Sequence, residues 1–298
     1  MKRRRIDLAV ISDVHLGTYG CHAEELLAYL SSIEPKKLIL NGDIIDVWRF
    51  GERYFPSVHM QVVRKIVGMA SKGTEVYYIT GNHDEMLRKF NKTSMGNLHV
   101  VDKLVLQLDD KKAWFFHGDV FDTPVRHAKW LATLGIFGYQ SLILINRVVN
   151  WMLLKSGKER YSLSKKIKNS VKDAVKYAQD FETTSVSLAI EYGYDFVVLG
   201  HIHQPKKEVH VTKKGQCTYL NSGDWVENLT ALEYSFKRWK IYRYNQDKLL
   251  PFFVDEDLKN MDMQELIASI TAKKDAENQA IEKDPNLKKE KEGEASLD

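Results

Sequence analysis

Seven side chains able to bind a first-row metal ion, Asp13, His15, Asp43, Asn82, His117, His201 and His203, lie in five short stretches of the chain. Imidazole, carboxylate and amide oxygen together form a borderline donor set. It suits manganese, iron, zinc or cobalt better than calcium or magnesium, and manganese is the first expectation. Two such cations held about 3.5–4 Å apart by one shared carboxylate activate water against a phosphate ester or anhydride. Asp43 is the expected bridge. Asp13, His15 and His203 would complete one ion, and Asn82, His117 and His201 the other. His83 adjoins Asn82 but is needed by neither ion, so it is expected to face the substrate as a proton donor or transition-state stabiliser. Asp84 is expected to hold its tautomer. For His22, His59, His99, His127 and His210 a core or surface role is the expectation.

These residues need a scaffold that delivers them to one place. Residues 6–12 form an apolar, β-branched run ending at Asp13-Val14-His15. A helix follows at 23–33, then a strand at 37–41 ending at Gly42-Asp43. The order repeats with a helix near 58–71 and a strand at 75–80 ending at Gly81-Asn82-His83-Asp84. Strand, loop, helix, three times over, is the pattern of a layered sheet whose strand ends collect ligands. Residues 98–117 look like two strands around the turn Asp109-Asp110-Lys111-Lys112, running into His117-Gly118-Asp119. A strand at 194–199 precedes Gly200-His201-Ile202-His203, and 216–244 hold three more. The expected fold is α/β, with two face-to-face mixed sheets flanked by helices.

Between 121 and 190 lies a long helical stretch without ligand motifs. Residues 130–154 are strongly apolar, yet Gln140, Asn146, Arg147 and Asn150 fall in one sector of about 120° at 100° per residue, which argues against a lipid-spanning helix. Either a buried helix pair or a cap over the site that takes a greasy substrate or rests on a membrane fits this pattern. Residues 155–176 are densely basic, a solvated face or a grip on phosphates. The expected division is a catalytic domain over 1–250 containing this insertion, an extension at 251–271, and a charged, disordered tail at 272–298.

The 298 residues are 44% hydrophobic, enough for a large core without staples. Cys21 and Cys217 lack metal-finger spacing and suit a reducing cytosol. A formal charge of +4 is too mild for a nucleic-acid binder. The tetrad Lys2-Arg3-Arg4-Arg5 is expected as a solvated terminus or a weak attraction to anionic lipid, and the apolar run behind it is too short for a signal peptide.

Asp13-x-His15, Gly42-Asp43, Gly81-Asn82-His83-Asp84, His117-Gly118-Asp119 and Gly200-His201-x-His203 resemble the five signature blocks of the calcineurin-like metallophosphoesterases. The resemblance spans residues 6 to about 240 and implies the two-sheet sandwich and the same ligand set. Within that superfamily the chain is similar to the UDP-2,3-diacylglucosamine pyrophosphatases of lipid A synthesis. Ser12-Asp13-Val14-His15-Leu16-Gly17, Gly42-Asp43-Ile44-Ile45-Asp46-Val47-Trp48-Arg49, Tyr161-Ser162-Leu163-Ser164 and Asn221-Ser222-Gly223-Asp224-Trp225-Val226-Glu227 carry that likeness. The best-known members have arginine where this chain has His83, while a second branch keeps histidine. The resemblance implies a nucleotide-diphospho-lipid substrate cleaved to UMP and a diacylglucosamine 1-phosphate, a lid for its acyl chains, and a cytoplasmic protein in peripheral contact with the inner membrane. Ser162, Lys165, Lys166 and Lys168 would then neutralise the second phosphate, with Arg49 and Arg126 as further phosphate contacts. A phosphodiesterase for soluble nucleotides or another phospholipid, or a scaffold without catalysis, are the competing readings.

Overall fold

Apolar runs set the centre of the fold. The computed structural model describes residues 3–46, 55–121 and 163–247, with only the backbone for 163–175. Strand β1 (Arg4–Ile11) leads through helix α1 (Ala23–Ser32) to β2 (Ile33–Asn41), and helix α2 (Ser57–Ser71) leads to β3 (Glu75–Ile79). These three strands are parallel neighbours, as their near-continuous Val, Ile and Leu content requires of strands buried on both faces. With β4 (Thr93–Met95), β5 (Leu98–Val101), β11 (Thr230–Ser235) and β12 (Arg238–Arg243) they make a seven-stranded sheet in the order β12-β11-β1-β2-β3-β5-β4. A five-stranded sheet, β6-β7-β8-β10-β9, contains β6 (Lys103–Leu108), β7 (Lys111–Phe116), β8 (Phe196–Leu199), β9 (Lys206–Thr212) and β10 (Gly215–Asn221).

Three apolar layers hold the sheets. Leu8, Val10 and Ile39 of the first sheet meet Phe115, Val198 and Leu220 of the second in the inner core. Leu26 and Leu30 of α1 and Val62 and Ile66 of α2 cover the outer face of the first sheet. The outer face of the second is covered by Phe181, Val186 and Ala189 of helix α3 (Leu163–Glu191). The result is helix, sheet, sheet, helix.

Four local expectations need adjustment. β2 starts at Ile33, ahead of the expected Lys37; Pro35, which lacks an N–H, is accommodated because β3 pairs with β2 only from Lys37 onward. Residues 98–117 form three strands, since the chain passes from one sheet to the other at Asp102, whose carboxylate accepts hydrogen bonds from Thr80 Oγ1 and Asn91 Nδ2. The edge strand β9 was not expected. Arg4 is no solvated terminal residue: it lies in β1, half-buried, with its guanidinium 3.0 Å from the buried carboxylate of Glu233. The expected apolar helix, Arg49, Arg126, Ser162, the extension and the tail lie outside the described residues. Lys165, Lys166 and Lys168 fall at the start of α3, and their side chains lie outside the description as well. Among the described residues no helix is long and apolar enough to cross a membrane.

Candidate metal centre

Each ligand-bearing loop follows the carboxyl end of a strand: 13–15 after β1, 43 after β2, 82–83 after β3, 117 after β7, and 201–203 after β8. The loops are tied to one another by backbone bonds. Asp13 and His15 amides donate to the carbonyls of Gly42 and Asp43, and the Gly200 amide donates to that of His117. Asp13, His15, Asp43, His201 and His203 all have left-handed backbones, with φ between 52° and 69°. Asp and His tolerate this region better than most residues, but each still costs about 1 kcal/mol, so the loops are shaped against local preference. Gly81 has no room for a side chain: a Cβ there would come within 2.3 Å of Asp43 Oδ1 and 2.8 Å of the His117 ring.

The side chains converge into three overlapping groups, each with ligand atoms within 4.8 Å of one another: Asp13, His15 and His203; Asp43, His117 and His201; and His15, Asp43 and His83. Asp43 is common to two of them. Asn82 lies between Gly81 and His83 on the same loop, with its amide oxygen buried.

The protonation pattern tests the fit of a cation. His117 donates from Nδ1 to the Asn41 carbonyl at 2.9 Å, leaving Nε2 buried and 3.2 Å from Asp43 Oδ2. His203 Nε2 likewise lies 3.1 Å from Asp13 Oδ1. A ring lone pair cannot sit against a carboxylate unless a positive charge lies between them, either a proton or a metal ion. Burial opposes charging His117, but Asp43, with Asp13 and Asp119 behind it, outweighs burial and raises its pKa to about 10. His203 is raised to about 9 by the same contest of burial against Asp13. Burial also opposes ionisation of Asp13, yet His203 brings it down to about 2. His15, for which burial dominates, is lowered to about 4 and keeps a free lone pair at neutral pH. The residues therefore fit divalent cations: acidic carboxylates, a neutral imidazole, and two histidines whose protons a metal would replace.

The Calcineurin-like phosphoesterase family model matches residues 6–205, a span that contains all five motifs. The chain belongs to this family. It is a metal-dependent hydrolase with the two-sheet phosphoesterase fold. The phosphoesterase is 25% identical over 247 residues to a UDP-2,3-diacylglucosamine hydrolase from Aliivibrio fischeri (strain MJ11), covering 78% of this chain and 96% of that one. It is 25% identical over 235 residues to the protein of the same name from Haemophilus influenzae (strain PittGG), covering 74% and 92%. Among solved structures, it is similar to an archaeal phosphodiesterase at 15% identity and a TM-score of 0.38, covering 79% of this chain and 98% of that one.

His83 is placed differently from the ligands around it. Its side chain is 38% exposed, against 10% for His15 and none for His117. Its amide donates to Asp43 Oδ1 at 2.8 Å, and its ring Nδ1 lies 3.1 Å from Asp46 Oδ2. The expectation that Asp84 orients this imidazole is corrected by the geometry. Asp84 accepts from the Gly81 amide at 2.6 Å, the Ile44 amide at 2.9 Å and the Tyr78 hydroxyl at 2.6 Å, so it braces the loops of Asp43 and Asn82 from below. Asp46, 2% exposed, is the carboxylate on His83 and was missed in sequence; the spacing Asp43-x-x-Asp46 on one loop was the available signal.

The phosphoesterase also has a support segment at 221–228. The Asn221 amide donates to the Gly200 carbonyl at 2.7 Å, and Ser222 and Ser12 hydroxyls meet at 2.6 Å. The Trp225 backbone amide donates to the Asp13 carbonyl at 3.1 Å, and Asn228 Nδ2 to the His203 carbonyl at 2.9 Å. One loop thus fixes the backbones of the Asp13 and His203 segments. Of the histidines assigned other roles, His59 is buried and accepts from the Gly17 amide at 2.9 Å, and His210 lies 2.7 Å from Glu182.

Proposed function

We propose that this phosphoesterase hydrolyses the phosphoanhydride of a nucleotide-diphospho-lipid, UDP-2,3-diacylglucosamine, to UMP and 2,3-diacylglucosamine 1-phosphate. The observation that carries the reading is the likeness to hydrolases of that name over about three-quarters of the chain, with the ligand-bearing loops inside the matched region. Asp13, His15 and His203 would hold one divalent ion and Asn82, His117 and His201 the other, with Asp43 shared; manganese is the first choice of metal. When bound, such ions polarise the phosphoryl group and lower the pKa of water. His83 lies at the open side of the centre, where its Nε2 can supply a proton to the departing phosphate oxygen. Asp46, on Nδ1, holds the ring in that orientation. Lys165, Lys166, Lys168, Ser162, Arg49 and Arg126 are proposed as contacts to the second phosphate, and the apolar segment before α3 as the acyl site, in peripheral contact with a membrane.

The experiment is a substrate comparison with purified, Mn2+-loaded protein. UDP-2,3-diacylglucosamine should be turned over with a kcat/KM at least about a hundredfold above that for UDP-glucosamine without acyl chains, cyclic nucleotides or a chromogenic phosphodiester. Faster turnover of a soluble nucleotide would overturn the lipid assignment and leave a general phosphodiesterase.

A further inference from the structure

Among the described side chains, helix α3 meets the metal centre through Phe181. Phe181, 2% exposed, packs with its ring centroid 6.1 Å from that of His201 and 5.5 Å from that of Phe121. The contact with the backbone is closer still. Gly118, next to His117, has φ of +116°, and a Cβ there would lie 2.6 Å from Phe181 Cζ and 3.5 Å from His201 Cβ. The ring therefore fills the volume a side chain at 118 would occupy, against the two histidine loops that approach Asp43 from the second sheet.

The next residue fixes that helical turn. Both carboxylate oxygens of Glu182 lie 2.7–2.8 Å from Lys206 Nζ, and Oε1 lies 2.7 Å from His210 Nε2. Lys206 begins β9 and comes three residues after His203. Two consecutive residues of α3 thus clasp the 201–206 segment, one packing on His201 and the other binding Lys206.

We infer that Phe181 is a positioning residue for the metal position formed by Asp43, His117 and His201, and that through it the seating of α3 and occupancy of that position are coupled. The inference rests on the two-metal reading. An imidazole ligand needs its ring held within a few tenths of an ångström, and groups behind a ligand typically change metal affinity by about 10–100-fold. Without the Phe181 ring, the Gly118 backbone and the His201 ring lose the surface they rest on. Among the described ring contacts Phe181 meets His201, while His15 and His203 meet each other, so the position those two form with Asp13 is expected to be spared. Coupling is reciprocal, so an ion at the Asp43–His117–His201 position steadies the helix in turn.

The test is Mn2+ binding by the full chain, followed by calorimetry and by amide exchange over residues 177–191. The wild type should bind two Mn2+ per chain and show slower exchange in that helix on loading. Phe181→Ala should weaken one of the two ions roughly 10–100-fold, leave the other within about twofold, and lose the metal-dependent slowing. Phe181→Leu, which keeps apolar volume, should fall between. Val186→Ala is the control: Val186 is 3% exposed in the same helix and cluster, so the variant should lose thermal stability while keeping both affinities. Wild-type affinities in Phe181→Ala, or equal weakening in Val186→Ala, would overturn the coupling alone. A wild type that binds no Mn2+ would overturn it together with the two-metal reading.

Discussion

The division of labour among the histidines can be tested one side chain at a time. His117 and His203 each point a ring nitrogen at a carboxylate of the candidate ligand set within about 3.2 Å, whereas the near carboxylate of His83 is Asp46, outside that set, and its ring stands 4.0 Å from Asp43. His83→Ala should therefore lower kcat by about a hundredfold or more, the usual range for a lost acid–base group, with two Mn2+ per chain retained by elemental analysis. Asp46→Asn keeps a hydrogen-bond acceptor but loses the charge, and should give a smaller fall in kcat at the same metal content. If His83→Ala lost metal in step with activity, the residue would be a third ligand of the Asp43 and His15 group and no proton donor. The candidate ligands that converge were legible in the sequence because so few side chains bind such metals, and because each stood at the end of an apolar run. The partner of His83 was not. Asp84 is adjacent in sequence, but its carboxylate turns under the loop to collect the Gly81 and Ile44 amides, and only folding brings Asp46 to the ring.

Among elements, legibility followed burial. β1, β2, β3 and β8 carry continuous apolar runs and stood out, as did α1 and α2. β9, Lys-Lys-Glu-Val-His-Val-Thr, did not, because it is an edge strand whose side chains are mostly exposed, Val209 and Val211 among them, and its alternation spans too few residues to stand out. The loop after β1 shows how elements hold the site. His59, on α2, is 2% exposed and its Nδ1 accepts from the Gly17 amide, a bond only the neutral tautomer with a free Nδ1 can make. Burial lowers its pKa below the ordinary 6.5. The unfolded chain therefore binds the proton first, and the stability owed to neutral His59 is lost as pH falls from about 6.5 toward the depressed value. His117 and His203 have the opposite sign: without metal, the stability from their protonated forms is complete below about 6.5 and is lost as pH rises through 9–10. Comparing the wild type with His59→Gln isolates the first effect. The wild type's advantage in urea unfolding free energy should shrink between pH 7 and pH 5, and parallel stabilities over that window would remove His59 from the account.

For the whole molecule, the metal centre is a joint between sheets. Asp13, His15, Asp43 and Asn82 lie in loops that follow strands of the seven-stranded sheet, His117, His201 and His203 in loops that follow strands of the five-stranded one. An ion held by both groups ties the two sheets at one end of the sandwich, where five left-handed residues strain the backbone by several kcal/mol in sum. That is a large share of the about 5–15 kcal/mol by which a domain is usually stable. Metal removal should then cost more than activity. At a free Mn2+ concentration a hundred times its Kd, one ion contributes about 2.7 kcal/mol, and in a chain this long each kcal/mol moves the thermal midpoint by roughly 2–4 °C. Chelation should thus lower Tm by roughly 5–10 °C per ion released, and re-addition of Mn2+ should restore it. Because the joint is shared, amide protection should fall on both sides together: in 13–17 and 42–46 of the first sheet, and in 117–119 and 200–204 of the second, with 221–228 following because it bonds to the backbones of both Asp13 and His203. Loss confined to one sheet would mean that the ions sit within a single set of loops, and that Asp43 does not bridge.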